Sequence, residues 1–190
     1  SVLIDCAQRG PVVEETVRGT RLHLENLDLT NAHRSGGGGA VVRAEQGSRI
    51  ELVNCRVTNA ASDGEGGAVL VSNSSLRVSG SHFEESSAVF GAALAVVDGS
   101  AAILEDTTVT HCFATSGGGG AYVARKSTLD MQGMHFSLND GGPLGGVLHS
   151  TAECTVQAST TTMTDNTATR GGGIRVDGGG VLRLTNGVHI

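Results

Sequence analysis

Apolar residues two positions apart recur along this chain. Leu22 and Leu24, Ile50 and Leu52, Leu76 and Val78, Leu129 and Met131, and Val156 and Ala158 each flank one polar residue: His23, Glu51, Arg77, Asp130 and Gln157. A spacing of two puts alternate side chains on opposite faces of an extended strand. Ala102 and Leu104 keep the spacing but flank Ile103, the one apolar exception. Helical spacing fits none of these segments.

The strands belong to a repeat. A second apolar position falls at Leu29, Val57, Phe83, Val109, Phe136 and Met163, in steps of 28, 26, 26, 27 and 27. A glycine pair, or its "GA" equivalent, precedes Ala40, Ala68, Ala93, Ala121, Val147 and Gly173, in steps of 28, 25, 28, 26 and 26. The residue after each of these (Val41, Val69, Leu94, Tyr122, Leu148, Ile174) is apolar. Two independent markers therefore share one period.

A unit of this length with two or three short strands cannot bury its own apolar face, but stacked copies can, at the strand spacing of about 4.8 Å. The pattern predicts an all-β chain, a right-handed parallel β-helix of about six to seven coils with a period of 25–28 residues. Leu29, Val57, Phe83, Val109, Phe136 and Met163 should form one internal stack. The glycine pairs Gly38–Gly39, Gly66–Gly67, Gly119–Gly120, Gly145–Gly146 and Gly171–Gly172 should form a corner, where positive φ or close approach to the next coil excludes a Cβ. Gly36, ahead of the motif, should tolerate alanine.

The motifs "GGAV" at 38–41 and 66–69, "GGAY" at 119–122 and the weaker "GAAL", "GGVL" and "GGGI" resemble half of the repeat of chlamydial polymorphic outer-membrane proteins. The other half, FxxN, is matched by "FSLN" at 136–139 and approached by "MTDN" at 163–166. The resemblance implies a surface-exposed β-helix with an adhesive role.

Composition narrows the options. Glycine is abundant at 29 residues, yet two prolines and no Gly-X-Y period exclude collagen. The net charge of −6, without a basic cluster, gives no nucleic-acid footprint. No apolar run is long enough for a transmembrane helix. The chain begins at Ser1 rather than Met and reads as one β-helix segment, 1–190, of a longer solenoid.

Candidate chemistry is sparse. Cys6, Cys55, Cys112 and Cys154 lack metal-binding spacing and read as small buried apolar residues. His82 and His135 share a repeat position two coils apart, while His33 and His149 stand alone; all read as surface residues without a metal. Glu14–Glu15, Glu84–Glu85 and Glu105–Asp106 are sequence neighbours whose side chains should diverge, and Glu51 should pair with Arg77 across strands. "NSS" at 73–75 is a sequon that would carry a glycan on Asn73. These features predict no catalytic residue, metal or cofactor. They point to a non-catalytic extracellular or cell-surface β-helix with an adhesive or structural role. Its partner would be another protein, a glycan or further coils. The alternative is a polysaccharide-active enzyme of lyase or epimerase type on the same fold.

Overall fold

Arg49–Val53 shows how one coil is built. Its burial alternates, with Ile50 and Leu52 inside and Arg49 and Glu51 outside. The chain enters it from Val42–Ala44, turns into Arg56–Thr58, and turns again into the short Ala61–Ser62 before the next glycines. In the computed structural model, which describes residues 2–7, 12–15 and 18–190, these four segments recur and stack strand on strand. The result is three seven-stranded sheets and one four-stranded sheet. Pairing is parallel, and no helix occurs among the described residues. The chain is a parallel β-solenoid of about seven turns. Units expected to hold two or three strands hold four in the middle coils, because the segments around Ala61–Ser62, Ser87–Phe90 and Phe113–Gly117 pair as well.

Register makes the core. Leu22, Ile50, Leu76, Ala102, Leu129, Val156 and Leu182 are successive partners in the sheet of five-residue strands. Two residues on, Leu24, Leu52, Val78, Leu104, Met131, Ala158 and Leu184 form a second column. On the strands of three or four residues that follow, Leu29, Val57, Phe83, Val109, Phe136 and Met163 pair in that order and are all buried. Each such side chain contributes about 1.5–3 kcal/mol by leaving water.

The glycine corner is one residue wide in its strictest requirement. The left-handed position falls at Gly39, Gly66, Gly91, Gly118, Gly145 and Gly171, each with φ between 60 and 73°. Gly91 and Gly118 were outside the expected pairs. The other expected glycines have ordinary φ but abut the next coil: a Cβ at Gly67 would lie 2.1 Å from the Ala92 carbonyl oxygen. A Cβ would be similarly close to backbone at Gly38, Gly119 and Gly146, and 2.9 Å from the Val147 carbonyl oxygen at Gly120. Gly172 meets neither condition, since its nearest neighbour would be 3.4 Å away. Gly36 also departs from expectation, because its φ of 71° strains any other residue despite open surroundings.

Two coils slip by one residue relative to the glycine marker. The column on this sheet is Val42, Val69, Leu94, Ala121, Leu148 and Ile174, so Val41 and Tyr122 stand outside it. In the second case a bulge is responsible: Ala88 pairs with Ala114 but Phe90 with Gly117, leaving one extra residue on the later strand. The remaining corners use asparagine and other residues instead of glycine, with Asn26, Asn31, Asn54, Asn59 and Asn73 all at φ near 50°. Asparagine tolerates this region because its short amide bonds locally.

Candidate functional site

Corners carry the polar interior. Ser48, Ser74 and Ser100 each donate a backbone N–H to the hydroxyl of the serine one coil later, ending at Ser127. Cys154 follows Ser127 one coil on, beside Thr155, the partner of Thr128. At another corner Cys55 donates its N–H to Ser81, and Ser81 to Thr107. At a third, Cys112 donates to Asn139 Oδ1. Cysteine thus occupies positions that hydroxyls and amides fill elsewhere. Cys55, Cys112 and Cys154 are buried, Cys6 is half-buried, and all four are free thiols. Burial pushes the Cys112 thiol up to about 12, so it stays protonated.

The outer face of the five-residue strands is flat and polar. A groove of about 500 Å³ crosses its first coils, lined by Arg21, Arg49, Glu51, Ser75, Arg77 and Ile103 among others. Arg21 and Arg49 are direct cross-strand partners. Glu51 and Arg77 are also partners in register but do not pair with one another. Glu51 accepts instead from His23 at 2.9 Å, and Arg77 reaches Glu105 at 2.5 Å. With Ile103 directly across from Arg77, the guanidinium finds its carboxylate diagonally. The Glu51 hydrogen bond, aided by Glu25, holds the His23 pKa above its ordinary value.

The outer face of the glycine-led sheet is covered. Leu70, Ala95, Val97, Tyr122 and Ala124 point away from the core yet are buried, with Phe90 packed on them. Phe90 stacks on Tyr122 at 4.8 Å, and the Tyr122 ring lies 5.4 Å from His149. His149 is only 5% exposed, which corrects its reading as a surface residue. Its Nε2 meets Asp177 Oδ2 at 3.1 Å, while its Nδ1 is buried without a partner and faces Gly117. Burial lowers its pKa, and Asp177 only partly offsets this. Nearby, Arg125 binds both oxygens of Glu65 at 2.9 and 2.6 Å and Asp98 at 2.5 Å, tying three coils together. From sequence His149 and Tyr122 are read only singly, and nothing joins them to Phe90, Arg125 or one another. Tyr122, the single tyrosine in a chain of few aromatics, was the available signal.

Other expected groups are dispersed. His82 and His135 flank Thr108 in one column, two coils apart. Glu84 pairs with Arg56, whereas Glu85 occupies a left-handed corner with φ of 53°. Asp106 is likewise a corner residue, beside strand-end Glu105. These neighbours diverge because a corner intervenes, not because strand alternation separates them. The side chains of Glu14 and Glu15 lie outside the described residues. Asn73 is exposed at a corner. Among the described residues, no three His, Cys, Asp or Glu side chains converge as a metal site would require.

No curated protein and no solved structure matches the chain. The model describing a right-handed β-helix region matches residues 16–188, nearly the whole solenoid. The stacked parallel coils and this match agree, and the chain belongs to the right-handed β-helix family.

Proposed function

We propose that this β-helix is a non-catalytic extracellular or cell-surface element with an adhesive or structural role. One observation carries the reading: five of its surface carboxylates are committed to holding coils together. Glu51 binds His23, Glu84 binds Arg56, Glu105 binds Arg77, and Glu65 and Asp98 share Arg125. Hydrogen bonds hold the carboxyls of Asp5, Glu84, Asp98 and Asp177 below their ordinary pKa. A general acid needs the opposite. Such carboxylates suit a rigid display surface.

The resemblance to polymorphic outer-membrane protein repeats supports the same role. Phe136 of "FSLN" fills the core while Asn139 closes the corner behind it, so the motif has a structural purpose in this chain. The partner is a glycan or protein facing the outer sheets, and a glycan on Asn73 would project from an exposed corner.

The arginine-lined groove favours a second reading, a polysaccharide-active enzyme. Incubation with uronic-acid polymers and calcium decides between them. The display reading expects no rise in ultraviolet absorbance from unsaturated products; a rise that scales with protein concentration overturns it. Surface labelling of intact cells with an antibody to the solenoid tests the location, and signal only after permeabilisation would refute it.

A further inference from the structure

We infer that Phe113 and Leu138, exposed on adjacent coils at the rim of the short sheet, dock a basic polypeptide segment that carries apolar side chains. This inference names the partner class for the display reading above and rests on it.

The repeat supplies its own controls. Asn31, Asn59, Glu85, His111, Leu138 and Asp165 occupy one corner position on successive coils, all with φ between 52 and 58°. Leu138 is the only apolar member, and it is 50% exposed. Bulky side chains rarely adopt this backbone conformation, whereas asparagine does so readily. The leucine therefore serves neither the bend nor the core. Phe113 stands in the outward column His33, Ala61, Ser87, Phe113, Asp140 and Thr167, where it is the one large apolar residue and 45% exposed. Leu138 lies two residues before Asp140, the partner of Phe113, so the two anomalies fall together on neighbouring coils. Backbone strain and exposed apolar surface at one place both oppose stability, with no compensation inside the folded chain.

The surrounding charge selects the partner. Glu85 and Asp165 are exposed in the same corner column, and Asp140 is the cross-strand neighbour of Phe113. None of the three forms an ion pair with a described residue, unlike Glu51, Glu65, Glu84, Asp98 and Glu105. Asp140 commits one oxygen to the Gly142 N–H and keeps the other. His111 sits between Glu85 and Leu138, with its Nδ1 on the Thr110 hydroxyl. An apolar pair ringed by such carboxylates complements Lys or Arg flanking apolar side chains. The same carboxylates repel a second copy of this rim, an anionic lipid surface and a nucleic acid.

The test is selection of a displayed random-peptide library on the 190-residue chain, with counter-selection on a Phe113→Ser, Leu138→Asn variant. Enriched peptides should combine Lys or Arg with apolar residues, and their binding should weaken as salt rises. In fluorescence polarisation the double variant should bind them about tenfold more weakly or worse. Ile103→Ser, which removes exposed apolar surface on another sheet, should leave affinity unchanged. Glu85→Gln with Asp165→Asn should slow association and flatten the salt dependence. Leu138→Asn should melt at or above the parent temperature, because asparagine suits the corner. A clearly lower melting temperature would assign the leucine a packing role and overturn the inference. So would peptides that lack basic or apolar character, that bind the double variant equally, or that lose affinity equally with Ile103→Ser. An empty selection overturns the docking site yet leaves the display reading standing. Label confined to permeabilised cells refutes the display reading and leaves the peptide result intact.

Discussion

Asn139 and Asn166, one coil apart, are bonded amide to amide: Asn139 Nδ2 donates to Asn166 Oδ1 at 2.9 Å. The backbone N–H of Asn139 donates to the same oxygen at 3.0 Å. Asn139 also accepts from the Cys112 N–H and donates to the Val109 carbonyl, so one buried side chain satisfies polar groups of the preceding and the following coil. Asn139→Ala strands the Cys112 N–H away from water. Chemical denaturation should show a loss of about 1–3 kcal/mol, whereas Asn59→Ala, exposed at the same corner, should lose less.

Two phenylalanines test the register. Phe136 is fully buried in the internal stack, and Phe113 is 45% exposed on the short sheet. Phe136→Asp places an unpaired carboxylate in the core and should cost several kcal/mol, on the order of a buried-charge defect. Phe113→Asp should change the melting temperature little. Equal effects would place the Phe136 column outside.

Glycine replacements should rank by geometry. Gly67→Ala forces a Cβ to within 2.1 and 2.5 Å of two backbone oxygens and should cost about 1–3 kcal/mol or more. Gly36→Ala has space but the wrong φ, for a loss of about 1 kcal/mol. Gly172→Ala meets neither obstacle and should stay within about 0.5 kcal/mol of the parent. Urea midpoints of the three variants give the ranking directly.

Protonation of His149 should loosen the solenoid. Burial holds its folded pKa below the ordinary 6.5, with Asp177 and Arg175 the charged groups facing it and Tyr122 and Phe90 covering it. The unfolded chain therefore takes up this proton first as pH falls. Stability from this group is full above about pH 6.5 and declines as pH drops through that value toward the folded pKa. His149→Phe should flatten that part of a stability-against-pH profile. An unchanged profile in the variant would assign the slope to other groups.

The long strands were legible because their two faces contrast so sharply: Leu129 and Met131 inside, Asp130 outside. The fourth strand was not, since two residues such as Ala61–Ser62 cannot display an alternation. Corner glycines were visible as a motif, but the run "GGGG" at 117–120 does not say which member bends the chain. The bulge on the preceding strand decides that, and it gives the left-handed position to Gly118. The buried state of His149 depends on Phe90 and Tyr122 lying over the sheet from earlier coils, a tertiary fact with no local signature. The arginine groove was half legible. Arg77 was noticed for a partner it does not take, while Arg21 and Arg49 gain meaning only when register sets them side by side.

The bulge between Ala88/Ala114 and Phe90/Gly117 bears on how such a chain can change over time. The surplus residue is absorbed before the next strand begins, and from Leu94/Ala121 onward the hydrogen-bond register resumes unbroken. An inserted or deleted residue at this rim is therefore quarantined in its own turn and does not displace every turn downstream. Lineages can lengthen, shorten and decorate the rims while the three long sheets keep their alignment. Insertions and deletions should accordingly accumulate at these rims, and substitutions that preserve apolar character should dominate within the columns.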